Sequence, residues 1–254
     1  MKILDDSLIQ FVNLDSRPDR LALMWQTLAR AGIHATRRRG MLPSEYTGSP
    51  EQIAGMWKRP QKGAIGCYFS QLAIMKEAKD LAKNAFVMED DLVICADFMD
   101  RLAIIEEFCN THRWDVIWFG GTFHVNPPYW HKEDLGRDAE CTDHPRMLRT
   151  YGSFSTHAYL VNRDSLPRVL KLLATVQTIS WGIDHSFIKV SPRLHTYAFV
   201  PGCIIQYDNQ SNIGNGVTVY SNFKKLGPYW FQQKMTEFDP LAFDWHEAKK
   251  HAKT

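Results

Sequence analysis

Glu89, Asp90 and Asp91 stand in a row directly behind the wholly apolar run Ala85-Phe86-Val87-Met88. In an extended segment, residues two apart share a face, so Glu89 and Asp91 point the same way. That suits two oxygen ligands for a hard Mn²⁺ or Mg²⁺. Such an ion can hold a diphosphate and neutralise its charge as it leaves. Without a cation the three carboxylates repel one another, and burying them is costly. The bland alternative is an acidic helix N-cap after a strand. A second candidate is Val12 to Arg20 (VNLDSRPDR). Arg17 and Arg20 lie three apart at a helix start, where backbone amides also favour anions. They suit phosphate contacts or pairs with acids, and the alternative is a capped helix with surface arginines.

The elements that must carry these residues follow from apolar patterning. Leu8–Leu14 reads as a short buried strand. A helix capped by Asp15 or Ser16 follows, with Pro18 in its first turn, an apolar face of Leu21, Met24, Trp25 and Leu28, and Gly32 at its end. Residues 33–39 predict a strand and 40–60 a loop with one short helix. Helices are expected over 66–83, 97–109 and 165–174, with a short one starting near Asp184. Strands are expected at 85–88, 114–119, 157–161 and 197–205. Residues 122–147 and 208–216 read as loops, and the tail as scattered aromatics ending in a Lys-rich helix. Alternating strands and helices predict an α/β fold, a three-layer α/β/α sandwich with a mostly parallel sheet. In such sheets ligands bind outside the carboxyl ends of the strands. Two strand ends here carry Asn13-Leu14-Asp15 and Glu89-Asp90-Asp91.

Four blocks in the same order resemble glycosyltransferase family 25, the lipooligosaccharide galactosyltransferase and collagen glycosyltransferase group. VNLDSRPDR is similar to that family's opening motif. Gly63 to Gln71 (GAIGCYFSQ) resembles its GEIGCxLSH block, Phe86 to Asp91 its strand-plus-acid motif, and Ser155 to Val161 (STHAYLV) its THAYL strand. Gln210 to Gly214 resembles a QSDIG-like segment. Ala64 replaces an acid of the family pattern, Gln71 a His, and Asn212 an Asp.

The resemblance implies a GT-A-like fold and transfer of a hexose from a UDP-sugar, with inversion at the anomeric carbon. It places Val12, Asn13, Leu14 and Asp15 beside the nucleotide base and ribose, where Arg17 and Arg20, by their own spacing at the helix start, would reach the donor. It places Ser70 and Gln71 in the donor pocket and Asp90 near the ribose or donor sugar. Gln210 and Ser211 would be donor contacts, and Glu89 and Asp91 the metal motif. Inversion needs a base for the acceptor hydroxyl. Trp181-Gly182-Ile183-Asp184 is similar to the acceptor-side segment of other inverting enzymes of that fold, making Asp184 the candidate base and Trp181 an apolar platform for a sugar ring. Gly182 and His157 join the acceptor side, His157 reading equally as a core histidine. Asp184 reads equally as a helix N-cap. Asp115 and Asp208 are further base candidates, and His195, Asp208 and Asn209 are candidates for a third metal ligand. Residues 40–62 or 122–147 would order over the site when donor binds.

Composition bounds the rest. Thirty Lys+Arg against 28 Asp+Glu give a net charge of +2, so no global field draws the chain to nucleic acid. Five scattered cysteines carry no zinc spacing and predict reduced thiols in a cytoplasmic protein. MKILDDSLIQ carries two acids where a secretory leader would be apolar, and no membrane span is expected, although peripheral contact with the inner membrane surface stays open. The expected organisation is one glycosyltransferase domain over residues 1–220, with residues 221–254 a C-terminal extension. The expected partners are a UDP-hexose donor and a glycan acceptor in surface polysaccharide or lipooligosaccharide. Alternatives are transfer onto hydroxylysine of a collagen-like protein or a modified nucleic-acid base, the latter kept open by Arg37-Arg38-Arg39. A two-metal nuclease and a non-catalytic sugar-binding module are the readings from other classes.

Overall fold

The computed structural model describes residues 2–47, 62–121, 123–124, 139–153, 155–176, 182–200, 202–206, 209–211, 216–218 and 230–231. A short helix α1 (Lys2–Asp5) leads into β1 (Ser7–Asn13). The next helix, α2 (Pro18–Ala31), begins on a proline, whose missing N–H is no loss in a first turn. Gly32 ends it in the left-handed conformation, φ 66°. The N-cap is Arg17 rather than Asp15 or Ser16 and carries no side-chain cap bond. Asp15 is instead bound by Arg37 of β2 (Thr36–Arg39).

A 3₁₀ turn at Pro43–Glu45 precedes the long helix α3 (Lys62–Asp80). Next come β3 (Asn84–Met88), β4 (Leu92–Ile94), α4 (Phe98–Thr111) and β5 (Val116–Trp118). Beyond β6 (Phe123–His124) lie β7 (Glu140–Cys141), β8 (Met147–Thr150) and β9 (Ala158–Val161). Two helices, α5 (Leu166–Ala174) and α6 (Ile183–Val190), then lead to β10 (Thr196–Phe199) and β11 (Ile204–Gln206). The short strands β12 (Asn209–Ser211), β13 (Gly216–Thr218) and β14 (Trp230–Phe231) complete the described elements.

Eight strands form the central sheet in the order β2-β1-β3-β9-β5-β10-β8-β7. β9 and β8 run against the other six, so the sheet is mostly parallel as expected. Its inner strands are apolar on both faces, and the period of two sorts them cleanly. Val87, Val116, Trp118, Tyr159 and Ala198 pack under α3, α5 and α6. Phe86, Met88, Ile117, Phe119, Leu160 and Phe199 pack under α2 and α4. Each such side chain contributes about 1.5–3 kcal/mol when fully buried, so two covered faces hold three layers together. Among the described residues no helix is long and apolar enough to cross a membrane.

Four differences from the sequence reading matter. Met147 and Leu148, 1% and 4% exposed, extend the sheet where a loop through residue 147 was expected. The expected strand over 197–205 is two strands, β10 ending at Phe199 and β11 starting at Ile204. Its second half, β11, leaves the main sheet and pairs antiparallel with β4, itself unforeseen behind the acids. The loop expected over 208–216 contains β12, paired with β13. The 221–254 extension lies outside the described residues apart from β14.

Candidate functional site

The acids and the opening motif meet because β1 and β3 are parallel neighbours with Phe11 opposite Met88. Two residues further on, Asn13 reaches Asp90 although 77 positions separate them: its Nδ2 donates to Oδ2 at 2.6 Å. Asn13 Nδ2 also donates to the Arg17 carbonyl at 3.1 Å, and Arg37 Nε donates to Asn13 Oδ1 at 2.9 Å. From α2, Arg20 binds Asp90 Oδ1 at 2.8 Å and lies 3.5 Å from Asp91 Oδ2, all three side chains 8–9% exposed. Arg20 is thus committed to the acids. Arg17 pairs with exposed Asp19 at 2.8 Å and, through that hydrogen bond, holds Asp19 down at about 2.

Burial pushes Asp90 up despite Arg20 and Asn13. Glu89 is pushed up to about 8, first by burial, then by Asp91, Asp90 and Asp184, with Arg20 opposing. A carboxyl surrounded by three others and one guanidinium is short of positive charge. Gln71, 0% exposed, donates from Nε2 to Glu89 Oε1 at 3.2 Å and accepts from the Tyr159 hydroxyl at 2.9 Å, fastening the acid to the core.

The acids form the floor of a cleft of about 320 Å³ at the carboxyl ends of β1 and β3. Val12, Leu14 and Arg17 line one wall, and Cys67 and Ser70 of α3 line another. Ser70 fixes the intervening loop by accepting from the Met41 amide at 2.8 Å while donating to Gly66 O at 2.6 Å. Only glycine fits at 66, since a Cβ there would stand 2.1 Å from the Met41 carbonyl oxygen.

Asp184 lies in the first turn of α6. Burial pushes it up, while nearby His185 and the backbone amides of His185, Ser155 and Asp184 itself pull it down. It is close enough to push up both Glu89 and Cys67 electrostatically. Two unusual backbones frame it: Gly182 at φ 117° and Ser155, a non-glycine residue at φ 72°. A Cβ on Gly182 would come within 3.0 Å of Asp184 Oδ1. His157 is fully buried, donating from Nε2 to the Ile204 carbonyl at 3.0 Å, while its own carbonyl accepts from the Glu89 amide at 2.8 Å. Gln210 and Ser211 lie on β12. Trp181 and Asp208 lie outside the described residues.

The residue that sequence reasoning missed is Gln206. Its Nε2 donates to Glu89 Oε2 at 2.9 Å and to Asp91 Oδ1 at 3.0 Å, so two carboxylates converge on one point. The ladder puts Gln206 opposite Leu92, next to Asp91. Gly120 makes room for this arm, because a Cβ there would meet the Ile204 carbonyl oxygen at 1.8 Å. The signal available in the sequence was Pro201-Gly202, a dipeptide that disfavours a continuous strand over 197–205. Among the described residues, no group of three or more His, Cys, Asp or Glu side chains is arranged to hold a metal ion.

The arginines of β2 are each engaged. Arg37 binds Asp15, Arg38 binds Glu77 and Gln10, and Arg39 binds Glu45 at 2.7 Å. Cys67, Cys95, Cys109 and Cys203 are free thiols.

Two solved structures are similar over much of the chain. One is described as a glucose-1-phosphate thymidylyltransferase from Bacillus anthracis in complex with a sucrose (12% identity, TM-score 0.37, 78% of this chain and 70% of that one). The other is an apo UDP-glucose pyrophosphorylase (9% identity, TM-score 0.38, 76% of this chain and 90% of that one). No curated protein sequence matches the chain significantly. The profile of glycosyltransferase family 25, described as LPS biosynthesis protein, matches residues 8–186, a span that takes in β1, the acid run, the THAYL strand and Asp184. The chain belongs to glycosyltransferase family 25.

Proposed function

We propose that the chain is an inverting glycosyltransferase that moves a hexose from a UDP-sugar to a hydroxyl of a glycan acceptor in cytoplasmic assembly of lipooligosaccharide or surface polysaccharide. The observation that carries this reading is the convergence of Glu89, Asp90 and Asp91, the second held by Asn13, on the floor of one cleft at the carboxyl end of the sheet. A nucleotide would lie along Val12, Leu14 and Arg17, with Ser70 holding the facing loop.

The acid cluster suits a divalent cation, since two carboxylates point at one donor and the guanidinium of Arg20 is shared between Asp90 and Asp91. Mn²⁺ or Mg²⁺ held by Glu89 and Asp91 would neutralise charge gathering on the diphosphate leaving group. Asp184 is the proposed base. It would take the proton of the acceptor hydroxyl as that oxygen bonds to the anomeric carbon from the face opposite the donor oxygen. The bond to UDP would break with its electron pair leaving on UDP. A carboxyl raised by burial is a stronger base than a solvated one, which supports the role. Trp181 and Gly182 would shape the acceptor side, and Gln210 and Ser211 would touch the donor.

The test is UDP release from UDP-galactose, UDP-glucose and UDP-N-acetylglucosamine, with a glycan acceptor and Mn²⁺ or with a chelator. One donor should release UDP at a rate that rises with acceptor and collapses on chelation. Undiminished transfer by Asp91→Ala and Asp184→Asn would overturn the assignment.

A further inference from the structure

We infer that Gln206 supplies a third oxygen ligand to the cation held by Glu89 and Asp91, by turning its side-chain amide so that Oε1 takes the place now held by Nε2. The inference rests on the cation-dependent reading of the acid cluster and adds a ligand outside the acid motif.

Three observations carry it. First, Nε2 stands within 2.9 and 3.0 Å of a carboxylate oxygen from each acid, so one position already faces both. The amide hydrogens there do what a cation would do, offering partial positive charge to two carboxylates at once. Second, Gln206 is 6% exposed, and its buried Oε1 accepts a hydrogen bond from no described residue. An idle buried carbonyl is costly, and half a turn about Cγ–Cδ puts it at work, because the two ends of a carboxamide have the same shape. Third, with three acids beside one arginine, another charged ligand would add repulsion, whereas a carboxamide oxygen is a hard neutral one. Among the described residues no group of three His, Cys, Asp or Glu side chains is arranged to hold a metal ion, so a third ligand must be of another kind. The arm is held for the purpose by the β4–β11 ladder and by the His157 bond to Ile204, while the side chain keeps the freedom of its last torsion.

The experiment is Mn²⁺ titration of the whole chain without nucleotide, followed by electron paramagnetic resonance of the free ion. It compares wild type, Gln206→Ala and Gln206→Glu, with each fold checked by circular dichroism. Gln206→Ala should weaken Mn²⁺ binding about 10- to 100-fold. Gln206→Glu, with oxygen at both positions, should bind at least as tightly as wild type. If the role of Gln206 is to donate N–H groups to the acids, Gln206→Glu must weaken binding as much as Gln206→Ala does. That result, or equal affinity in all three, overturns the inference. Should Gln206→Ala not fold, Gln206→Asn, drawn back by one methylene, is expected to lose affinity in its place, and wild-type affinity there overturns the inference. Wild type that binds no Mn²⁺ refutes the cation reading itself, and this inference with it.

Discussion

The sheet buries carboxylates at both of its ends, and the two ends treat them in opposite ways. At the start of β5, Asp115 is 1% exposed and fully served: Ser165 Oγ donates at 2.5 Å, the His195 amide at 2.6 Å, and Arg168 stands 3.6 Å away. Those bonds tie β5 to β10 and to the start of α5, so the charge works as a rivet. At the other end, Glu89, Asp90 and Asp91 crowd against one arginine, and Asp184 adds a fourth negative group. The first arrangement is complete in itself. The second is left short of positive charge, which is what a site does when its ligand must bring some. This separation removes Asp115 from the cleft, although as an isolated acid in the sequence it resembled the others.

The contrast is tested most severely by removing one acid at each end. Asp91→Ala should cut transfer about 10³-fold or more, by analogy with the loss of a preorganised charge-stabilising group, while the protein stays folded. Asp184→Asn, nearly isosteric, should lower kcat about 10²- to 10⁴-fold with the KM for donor little changed, as expected for a lost base. Asp115→Ala should do the reverse, costing about 3 kcal/mol by orphaning buried donors, yet leaving turnover per folded molecule intact. Thermal melts beside active-site-normalised rates would decide, and a fall in kcat for Asp115→Ala without a stability loss would erase the distinction.

A smaller effect concerns pH. The Glu89 carboxyl is pushed up from 4.5 to about 8, so the folded state favours its protonated form. The stability this contributes is fully present below 4.5 and is lost as pH rises through 8. Glu89→Gln imitates the protonated acid. In the presence of chelator it should therefore melt several degrees above wild type at pH 9 and nearly with it at pH 5. A constant offset across that range would show that Glu89 carries no such burden.

Much of the architecture was legible because apolar runs of four to seven residues are hard to hide, and strands covered on both faces need them. The encounter of Asn13 with Asp90 was half legible. Both sit at strand ends, but only the register of β1 on β3 makes them partners. Arg20 read as a phosphate ligand or as a partner for acids, and only packing could choose. Gln206 was hardly legible, with only Pro201-Gly202 upstream to hint at it. Nothing local distinguishes a glutamine at the end of IIQ, and its importance comes from a ladder to β4, whose residues lie more than 100 positions earlier. His157 shows the same limit from the other side. Its position in the strand was clear, but its bond to Ile204 depends on β11 leaving the main sheet and on the missing side chain of Gly120.

The three arginines of β2 have a consequence of another kind. β2 is the outermost strand at one border of the central sheet, and β7, two residues long, is the outermost at the other. An outer strand offers its unpaired amides and carbonyls to any extended chain that drifts past, which is how sheets grow into aggregates. Here that border is four residues long and carries Arg37, Arg38 and Arg39, each held in place by an acid. A second molecule laying its own β2 alongside would bring six guanidinium groups together. The residues that first suggested an affinity for nucleic acid thus act as a guard that keeps one sheet from templating the next.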